Sequence, residues 1–313
     1  MTRHILAVDG GGTKTALVLC DENGVKLYET VAGGSNYQAI GQTALRRVLT
    51  GALVEVFTAC PVSSIDVALF ALAGVNTEED KNTVSLIVQE LLNSMQLDVA
   101  DLVIENDAFG VLKGLVQDRP GVLAICGTGA IAFAQDEHQH IIRSSGWGHK
   151  VGDGGSACWM GTKVIDAVFR MDDGRGRETV LKDKTLSAMG FTTVEQLSDW
   201  VNGEQYSIGE VGKLTIQLSE AESERDPVAS EIVDHAVAEI VSMAEAVIQR
   251  SQLQDVPCTV FCAGGTIQNF DALFEQVKNT IETRQPNKTV IRTDESPIEI
   301  IIKRAMNQLD KTE

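Results

Sequence analysis

Long apolar runs are absent from the sequence, which argues against a transmembrane protein. The first apolar stretch, Ile5–Val8, is too short for the hydrophobic region of a signal peptide. No later stretch approaches the roughly 20 apolar residues that a membrane-spanning helix needs. We therefore expect a soluble, cytoplasmic protein with no membrane partner.

Basic residues are scarce as well. The chain has 26 Lys and Arg against 44 Asp and Glu, a formal net charge of −18, and no basic cluster longer than Arg46-Arg47. Because negative charge repels phosphate backbones, nucleic acid is not expected as a partner. A bound nucleotide would have to be held locally, by a metal ion and backbone dipoles.

Paired cysteines are also missing. The six cysteines, at positions 20, 60, 126, 158, 258 and 262, form no CxxC pair, so buried small side chains are a better interpretation than a zinc site. The run Asp136–His140 has metal-ligand residue types, but it follows an apolar strand and is interpreted as a solvated hairpin loop.

The rest of the composition is typical of a folded protein with two domains. Of 313 residues, 43% are hydrophobic and 22% are charged. Residue spacing predicts strands and helices in alternation, with helices at 42–58, 78–95, 107–116 and 227–250. The expected domains are 1–117 and 118–296, with a C-terminal helix, 297–313, that packs back on the first.

A glycine-rich turn stands near the start of the chain. Val8–Thr15 reads Val-Asp-Gly-Gly-Gly-Thr-Lys-Thr. Glycines let the backbone approach an anion closely, Thr13 and Thr15 add hydroxyls, Lys14 adds a cation, and Asp9 is an oxygen ligand suited to Mg²⁺. The alternative is a plain hairpin turn.

The segments that follow this turn favour nucleotide binding. Apolar Ala16–Cys20 gives strand, glycine turn and strand, whereas Rossmann and Walker motifs pass from strand into helix. The arrangement resembles the superfamily of actin, the sugar kinases and the heat-shock chaperone ATPases. That resemblance implies a two-domain α/β fold of ribonuclease H-like repeats, with mixed five-stranded sheets flanked by helices.

Two more glycine turns occur in the predicted second domain. Gly127-Thr128-Gly129 lies between apolar strands, and Gly264-Gly265 ends another. Each turn alone could be an ordinary tight turn. The combination predicts an ATP site formed by Gly11, Gly12, Thr13, Lys14, Gly127, Thr128, Gly129, Gly264 and Gly265.

Asp107 is the candidate catalytic residue. It follows the predicted strand Leu102–Glu105 and opens a predicted helix, so its simplest role is that of an N-cap. Its other role is that of a general base that takes a proton from a sugar hydroxyl. The sequence leaves both roles open.

Two other loops have the polarity of a ligand site. Ser145–Ser156 is rich in glycine and contains Trp147 and Asp153, although Trp147 could instead fill a core. In the loop Gly33–Tyr37, Asn36 offers a donor and an acceptor, which suits a pair of sugar hydroxyls.

Together the motifs resemble the N-acetylglucosamine kinase branch of the BadF/BadG/BcrA/BcrD ATPase family. In chain order they are VDGGGTKT, GGSN, ALAG, ENDA, GTGA, GWGHKVGDGGS, DGRG and CAGG. The resemblance implies ATP and Mg²⁺ as cofactors, a homodimer, and phosphorylation of an N-acetylated hexosamine at its 6-hydroxyl. By the same resemblance Asp9 would act through Mg²⁺ and Asp107 would be the base, and the sugar would be bound by Asn36, Gly74, Asp107, Gly146, Trp147 and Asp153.

Three positions differ from the family pattern. Gly154 stands where Glu is common, Ala130 where Ser is usual, and Ile300 where Gly permits close helix contact. The change at Gly154 removes a carboxylate near the sugar loop. The acceptor therefore stays open among N-acetylglucosamine, glucosamine, N-acetylmannosamine and a cell-wall amino sugar.

Two other functions stay open. The family includes iron–sulfur ATPases that activate 2-hydroxyacyl-CoA dehydratases, and Cys126 stands just before a Gly-Thr-Gly turn, as a cluster cysteine would. A sugar sensor without catalysis is the other. The first of these leaves the sugar-loop motif unexplained.

Overall fold

The computed structural model describes residues 3–311, whose contacts separate into two compact units. Unit 2 is Arg119–Asp294. Unit 1 is the rest of the described chain, namely the residues before Arg119 and those from Glu295 onward. Among residues 3–311, no helix is both long and apolar enough to cross a membrane.

Unit 1 is built on a mixed sheet of five strands. Its first elements are β1 (His4–Gly10), β2 (Lys14–Asp21), β3 (Lys26–Gly33), α1 (Tyr37–Ala59), β4 (Ser64–Leu72), α2 (Glu78–Ser94), β5 (Asp98–Glu105) and α3 (Asp107–Val116). The strand order is β3-β2-β1-β4-β5, with β1, β4 and β5 parallel and β2 antiparallel to both its neighbours. Residues Ile5–Val8 of the central strand are fully buried, as expected for a strand covered on both faces.

Unit 2 is built on a second mixed sheet of five strands. Its elements are β6 (Gly121–Cys126), β7 (Ala130–Gln135), β8 (Ile141–Ser145), α4 (Ala157–Asp172), α5 (Leu181–Met189), α6 (Val194–Asn202), α7 (Ile208–Lys213), α8 (Thr215–Ser223), α9 (Pro227–Arg250), β9 (Cys258–Ala263), α10 (Gly265–Asn269), α11 (Asp271–Arg284) and β10 (Lys288–Arg292). The strand order is β10-β9-β6-β7-β8, and α9 packs on β6, β7 and β8. The two sheets with their helices confirm the predicted α/β fold class.

The last helix, α12 (Pro297–Asp310), packs against α3 and β1 of unit 1. The contact with α3 is close, because a Cβ built on Gly114 would lie 2.6 Å from both Cγ2 and O of Ile300. The glycine of this contact therefore lies on α3, and Ile300 packs over it. The predicted helix 297–313 starts where α12 starts, and residues 312–313 lie outside the described residues.

Local sequence explains where most helices begin. Thr77 and Asp80 form a capping box before α2, and Asp226 caps α9 directly before Pro227. The helix predicted at 42–58 proves longer, because a separate turn precedes Gly41, whose backbone is not helical (φ 77°, ψ 165°). The loop Asp136–His140 is the polar β7–β8 turn, as predicted, with Asp136 accepting from the backbone N–H groups of His138 and His140.

Candidate active site

Unit 1 gathers its predicted site residues at one edge of its sheet. Because β1, β4 and β5 are parallel, their carboxyl ends meet there. Asp9 lies near the end of β1, and Gly74 follows β4. Asp107 follows β5, separated from it by one residue, the N-cap of α3.

The β1–β2 glycine turn and the loop after β3 pack directly against each other. Gly11 N donates to Lys14 O at 2.9 Å, and Ser35 N donates to Gly11 O at 2.9 Å. A Cβ built on Gly34 would lie 2.1 Å from Gly12 O, so no side chain fits between them. Gly12, by contrast, has no atom within 4 Å of such a Cβ, which leaves the outer side of the turn open to a ligand.

Not every hydroxyl of the turn is available to a ligand. Thr15 is fully buried, and its hydroxyl donates to Gly33 O at 2.7 Å. The sequence interpretation of Thr15 as a ligand donor is therefore wrong, since this group joins β2 to β3. Thr13 and Lys14 are exposed.

Asp9 and Asp107 form an acidic pair. The pKa of Asp9 is raised to about 6, mainly by burial and also by the charge of Asp107, with a partial offset from Lys14. Burial also raises the pKa of Asp107, against the backbone N–H groups of Ala108 and of Asp107 itself. A carboxylate in such surroundings holds a proton more readily than in water, which suits proton transfer.

The capping role considered for Asp107 belongs to its neighbour. Asn106 is the N-cap of α3, and its Oδ1 accepts from Ala108 N at 3.0 Å and Phe109 N at 3.4 Å. Asp107 is the first residue of the helix. Helix capping therefore does not account for a carboxylate at this position.

Asn36 and Gly74 lie side by side. A Cβ built on Gly74, which has φ +90°, would be 2.6 Å from Asn36 Oδ1, and that oxygen also accepts from Ala39 N at 3.3 Å. The acceptor half of the Asn36 amide thus caps α1, and the donor half is the part suited to a ligand.

Further amide side chains extend this edge. Asn106 Nδ2 donates to Asn76 Oδ1 at 3.3 Å, and Asn76 Nδ2 donates to Gln38 Oε1 at 3.5 Å. Asp80 anchors the group, since it accepts from the Tyr37 hydroxyl at 2.6 Å and from Asn76 N at 3.0 Å. The Tyr37 hydrogen bond is the main reason that the pKa of Asp80 is lowered to about 2.

The two acids offer a donor set that fits Mg²⁺. Hard carboxylate oxygens are its usual protein ligands, and it commonly takes one or two of them together with substrate phosphates and waters. Within residues 3–311 no group of three or more His, Cys, Asp or Glu side chains could form a cage from protein ligands alone.

In unit 2 the two predicted glycine turns touch each other. A Cβ built on Gly264, which has φ +101°, would lie 2.5 Å from Cys126 O, and one on Gly127 would lie 3.9 Å from Gly265 N. Thr266 adds a hydroxyl hydrogen bond to Gly127 O at 3.2 Å. Helix α4 begins on the same turn, because Ala157 N donates to Gly127 O at 2.8 Å.

A cavity of 630 Å³ opens beside these turns. Pockets of this size commonly hold a small-molecule cofactor. Part of its wall comes from α7 and α8, which the sequence interpretation did not include. The lining residues are Gly127, Thr128, Ala157, Gly209, Gly212, Lys213, Thr215, Ile216, Ser219, Glu220, Gly265, Thr266, Asn269 and Phe270.

The loop before α4 combines buried and exposed residues. Asp153 is buried, and its Oδ1 accepts from Gly148 N at 3.2 Å. A Cβ built on Gly129 would be 2.9 Å from Asp153 Oδ2, so this carboxylate lies against the glycine turn. Trp147 is 70% exposed, with the Arg143 guanidinium 4.3 Å from the ring centroid. The alternative of Trp147 as a core residue is therefore wrong.

Cys126 does not have the surroundings of a cluster ligand. It is 1% exposed, its thiol donates to Gly155 O at 3.1 Å, and burial raises its pKa to about 12. Iron–sulfur clusters bind thiolates. Ala130, one of the three departures from the family pattern, is buried at the start of β7.

Comparison with known families agrees with this arrangement. The profile of the BadF/BadG/BcrA/BcrD ATPase family matches residues 6–302. The chain belongs to this family. The match spans both units and every motif described above.

Curated proteins that are similar to this chain in sequence include sugar kinases. N-acetylmuramic acid/N-acetylglucosamine kinase of Clostridium acetobutylicum is 26% identical over 291 residues, covering 92% of this chain and 94% of the relative. N-acetyl-D-glucosamine kinase of Dictyostelium discoideum is 27% identical over 310 residues, covering 95% of this chain and 96% of the relative.

Solved structures share the fold. A proposed N-acetylglucosamine kinase from Chromobacterium violaceum superposes with a TM-score of 0.72 at 22% identity, covering 97% of this chain and 99% of that one. A glucokinase of the ROK family from Streptomyces griseus gives a TM-score of 0.52 at 16% identity, covering 96% and 98%.

Proposed function

We propose that this protein is an ATP-dependent kinase that phosphorylates an amino sugar, N-acetylglucosamine, at its 6-hydroxyl. The observation that carries the proposal is Asp107, a carboxylate with a raised pKa that stands at a helix start already capped by Asn106. The names of the curated relatives support the same substrate class.

Asp107 is the base in this proposal. The 6-hydroxyl oxygen attacks the γ-phosphorus, its proton passes to the Asp107 carboxylate, and the bond between the γ-phosphorus and the leaving ADP oxygen breaks. Phosphoryl transfer needs mainly positioning and charge neutralisation, so a weak base is sufficient. The raised pKa favours its acceptance of the proton.

The glycine turns hold the nucleotide. Backbone N–H groups of Gly12–Thr13 and Thr128–Gly129 donate to phosphate oxygens, Lys14 balances their charge, and the cavity beside Gly265 accepts the adenosine. Gly11 and Gly127 shape the turns, since their N–H groups donate to Lys14 O and Gly129 O. Mg²⁺, held through Asp9, would supply further charge neutralisation at the γ-phosphate. Asn36, Gly74, Gly146, Trp147 and Asp153 are proposed to contact the sugar.

The test is ADP release by the purified protein with Mg²⁺-ATP and a panel of acceptors. The panel contains N-acetylglucosamine, glucosamine, N-acetylmannosamine, N-acetylmuramic acid and glucose, and ³¹P NMR of the product identifies the phosphorylated position. We expect the highest kcat/KM with N-acetylglucosamine and a 6-phosphate product. Absence of turnover with every amino sugar would overturn the proposal and favour a sugar sensor.

The expected homodimer and cytoplasmic location stay predictions. Sedimentation equilibrium tests the first and cell fractionation the second.

A further inference from the structure

A side chain at Gly154 would meet the side chain of Glu239. A Cβ built on it would lie 2.4 Å from Oε2 of Glu239, 2.8 Å from Cδ and 3.0 Å from Cγ of the same residue. All three of these neighbouring atoms belong to one carboxylate-bearing side chain, which comes from α9. The carboxylate of Glu239 therefore occupies the space into which a side chain at position 154 would extend.

The backbone of Gly154 does not itself require glycine. Its neighbours Asp153 and Gly155 have φ +56° and φ +80°, whereas Gly154 is absent from the residues with positive φ. An ordinary L residue could adopt its conformation. The backbone adds no strain, so the flexible, exposed end of Glu239 is what a side chain at this position would have to displace.

Glu239 lies against the loop that carries Asp153, a carboxylate predicted to bind the sugar. Asp153 directly precedes Gly154, is buried, and lies against the glycine turn through Gly129. Glu239 itself is exposed and has no ion pair or side-chain hydrogen bond to another of residues 3–311. An ionised carboxylate only accepts hydrogen bonds, so its partners here are water or a ligand that brings donors.

We propose that Glu239 is a specificity-determining residue of the acceptor site, where its carboxylate accepts a hydrogen bond from a hydroxyl of the bound sugar. This inference rests on the proposed kinase function. It restores, from a different element, the carboxylate that the loop lacks at Gly154. Asp153 and Glu239 together then present two acceptors to a ligand rich in hydroxyl donors.

The first experiment measures kcat and KM for both substrates in Glu239→Ala and Glu239→Gln. Loss of a charge-assisted hydrogen bond should raise the acceptor KM about 10- to 100-fold while the KM for ATP stays within about twofold. Glu245→Gln is the matched control, since Glu245 lies on the same helix and pairs with Arg284 instead. It should leave both KM values unchanged.

A reciprocal exchange tests the shared space. Gly154→Glu alone should raise the acceptor KM, because the new side chain turns Glu239 aside and brings two like charges together. In the double variant Gly154→Glu, Glu239→Ala the space is free, and the acceptor KM should return toward the wild-type value. If the acceptor KM of the double variant is no lower than that of the poorer single variant, the side chains at positions 154 and 239 do not share this space.

Deoxy acceptors identify the hydroxyl. For one monodeoxy sugar, the wild-type KM should rise by about the same factor as the KM of Glu239→Ala rises for the complete sugar. In Glu239→Ala, the KM values for that monodeoxy sugar and for the complete sugar should be nearly equal. If the wild type phosphorylates amino sugars but Glu239→Ala keeps its acceptor KM, this inference fails alone. If the wild type phosphorylates none, it fails together with the proposed function.

Discussion

The two sheets have the same topology but carry different residues at their equivalent first turns. Reversed, the order β10-β9-β6-β7-β8 becomes β8-β7-β6-β9-β10, which matches β3-β2-β1-β4-β5 strand for strand, including which pairs are parallel. In unit 1 the first turn of the sheet carries Asp9 and Lys14 and neighbours Asp107. In unit 2 the equivalent turn is Gly127-Thr128-Gly129, which has no charged residue of its own and lies beside a cavity and the carboxylate of Asp153.

This difference separates scaffold from function. A strand–turn–strand repeat places backbone N–H groups at the edge of a sheet in both units. The residues added at that edge differ: in the proposed function the acids of unit 1 serve proton and metal chemistry, and the short helices of unit 2 form a wall of the ATP site. Changes in the two units should therefore have different kinetic consequences.

Asp107→Ala should have the largest effect, which falls on turnover of the sugar and not on ATP binding. Removing a general base typically costs 10²–10⁴-fold, so we expect kcat to fall by about 10³-fold or more. ATP affinity, measured by isothermal titration calorimetry, should be retained because the unit 2 cavity is untouched. Asp98→Asn, an exposed carboxylate at the other end of β5, is the control. Near-normal turnover of Asp107→Ala would remove it from the mechanism.

Gly264→Ala should have the next largest effect, and on ATP. The new Cβ would lie 2.5 Å from Cys126 O at φ +101°, so both turns must shift. We expect roughly tenfold weaker ATP binding and about 1–3 kcal/mol less stability, measured by calorimetry and urea unfolding. Gly265→Ala meets no atom within 4 Å and should keep wild-type stability. Equal stabilities of the two variants would contradict the contact.

Asp9→Asn should lower activity and at the same time raise stability at pH 8. The folded-state pKa of Asp9, about 6, lies above its ordinary 3.8, so its ionisation destabilises the ligand-free fold as pH rises from about 4 to about 6. The variant should therefore melt a few degrees higher than wild type at pH 8 and no higher at pH 4, while losing turnover. A lower Tm at pH 8 would count against the raised pKa. Asp98→Asn again serves as the control.

Gly114→Ala and Gly51→Ala should change stability in opposite directions. The first places a Cβ 2.6 Å from Ile300 and should destabilise by about 1–3 kcal/mol. The second lies within α1 with no atom within 4 Å and should stabilise by up to about 1 kcal/mol, because alanine favours the helix. Urea unfolding measures both. Stabilisation by Gly114→Ala would show that α12 does not pack closely there.

Cys126→Ala should have the smallest effect. Its thiol makes one hydrogen bond in a buried site, so kinase turnover should stay within about twofold and stability should fall by about 1 kcal/mol. Iron analysis of anaerobically purified wild type accompanies the assay. Bound iron that is lost in Cys126→Ala would revive the iron–sulfur alternative.

Elements with local signals could be predicted from the sequence. Helices α3 and α9 begin and end at the predicted residues, because Asn106 and Asp226 are capping residues that precede clear helical spacing. The glycine turns and Asp107 were recognisable because each depends on a few consecutive residues.

Features that depend on distant parts of the chain could not be predicted. Helices α7 and α8 are short and have weak apolar periodicity, so nothing in their sequence indicates that Gly212 and Lys213 line a cavity. The same holds for the carboxylate of Glu239 beside Gly154, and for the buried hydroxyl of Thr15. These facts arise from packing, which a single sequence does not encode in any short motif.

The return of α12 to unit 1 has a consequence for how the protein is made. Unit 2 is continuous in sequence, but unit 1 needs α12, which follows it in the chain, to cover β1 and α3. During synthesis, unit 2 can complete its own contacts while unit 1 still exposes apolar surface, and a ribosome that stalls after Asp294 leaves that surface uncovered. The first residues translated are among the last to reach their final packing.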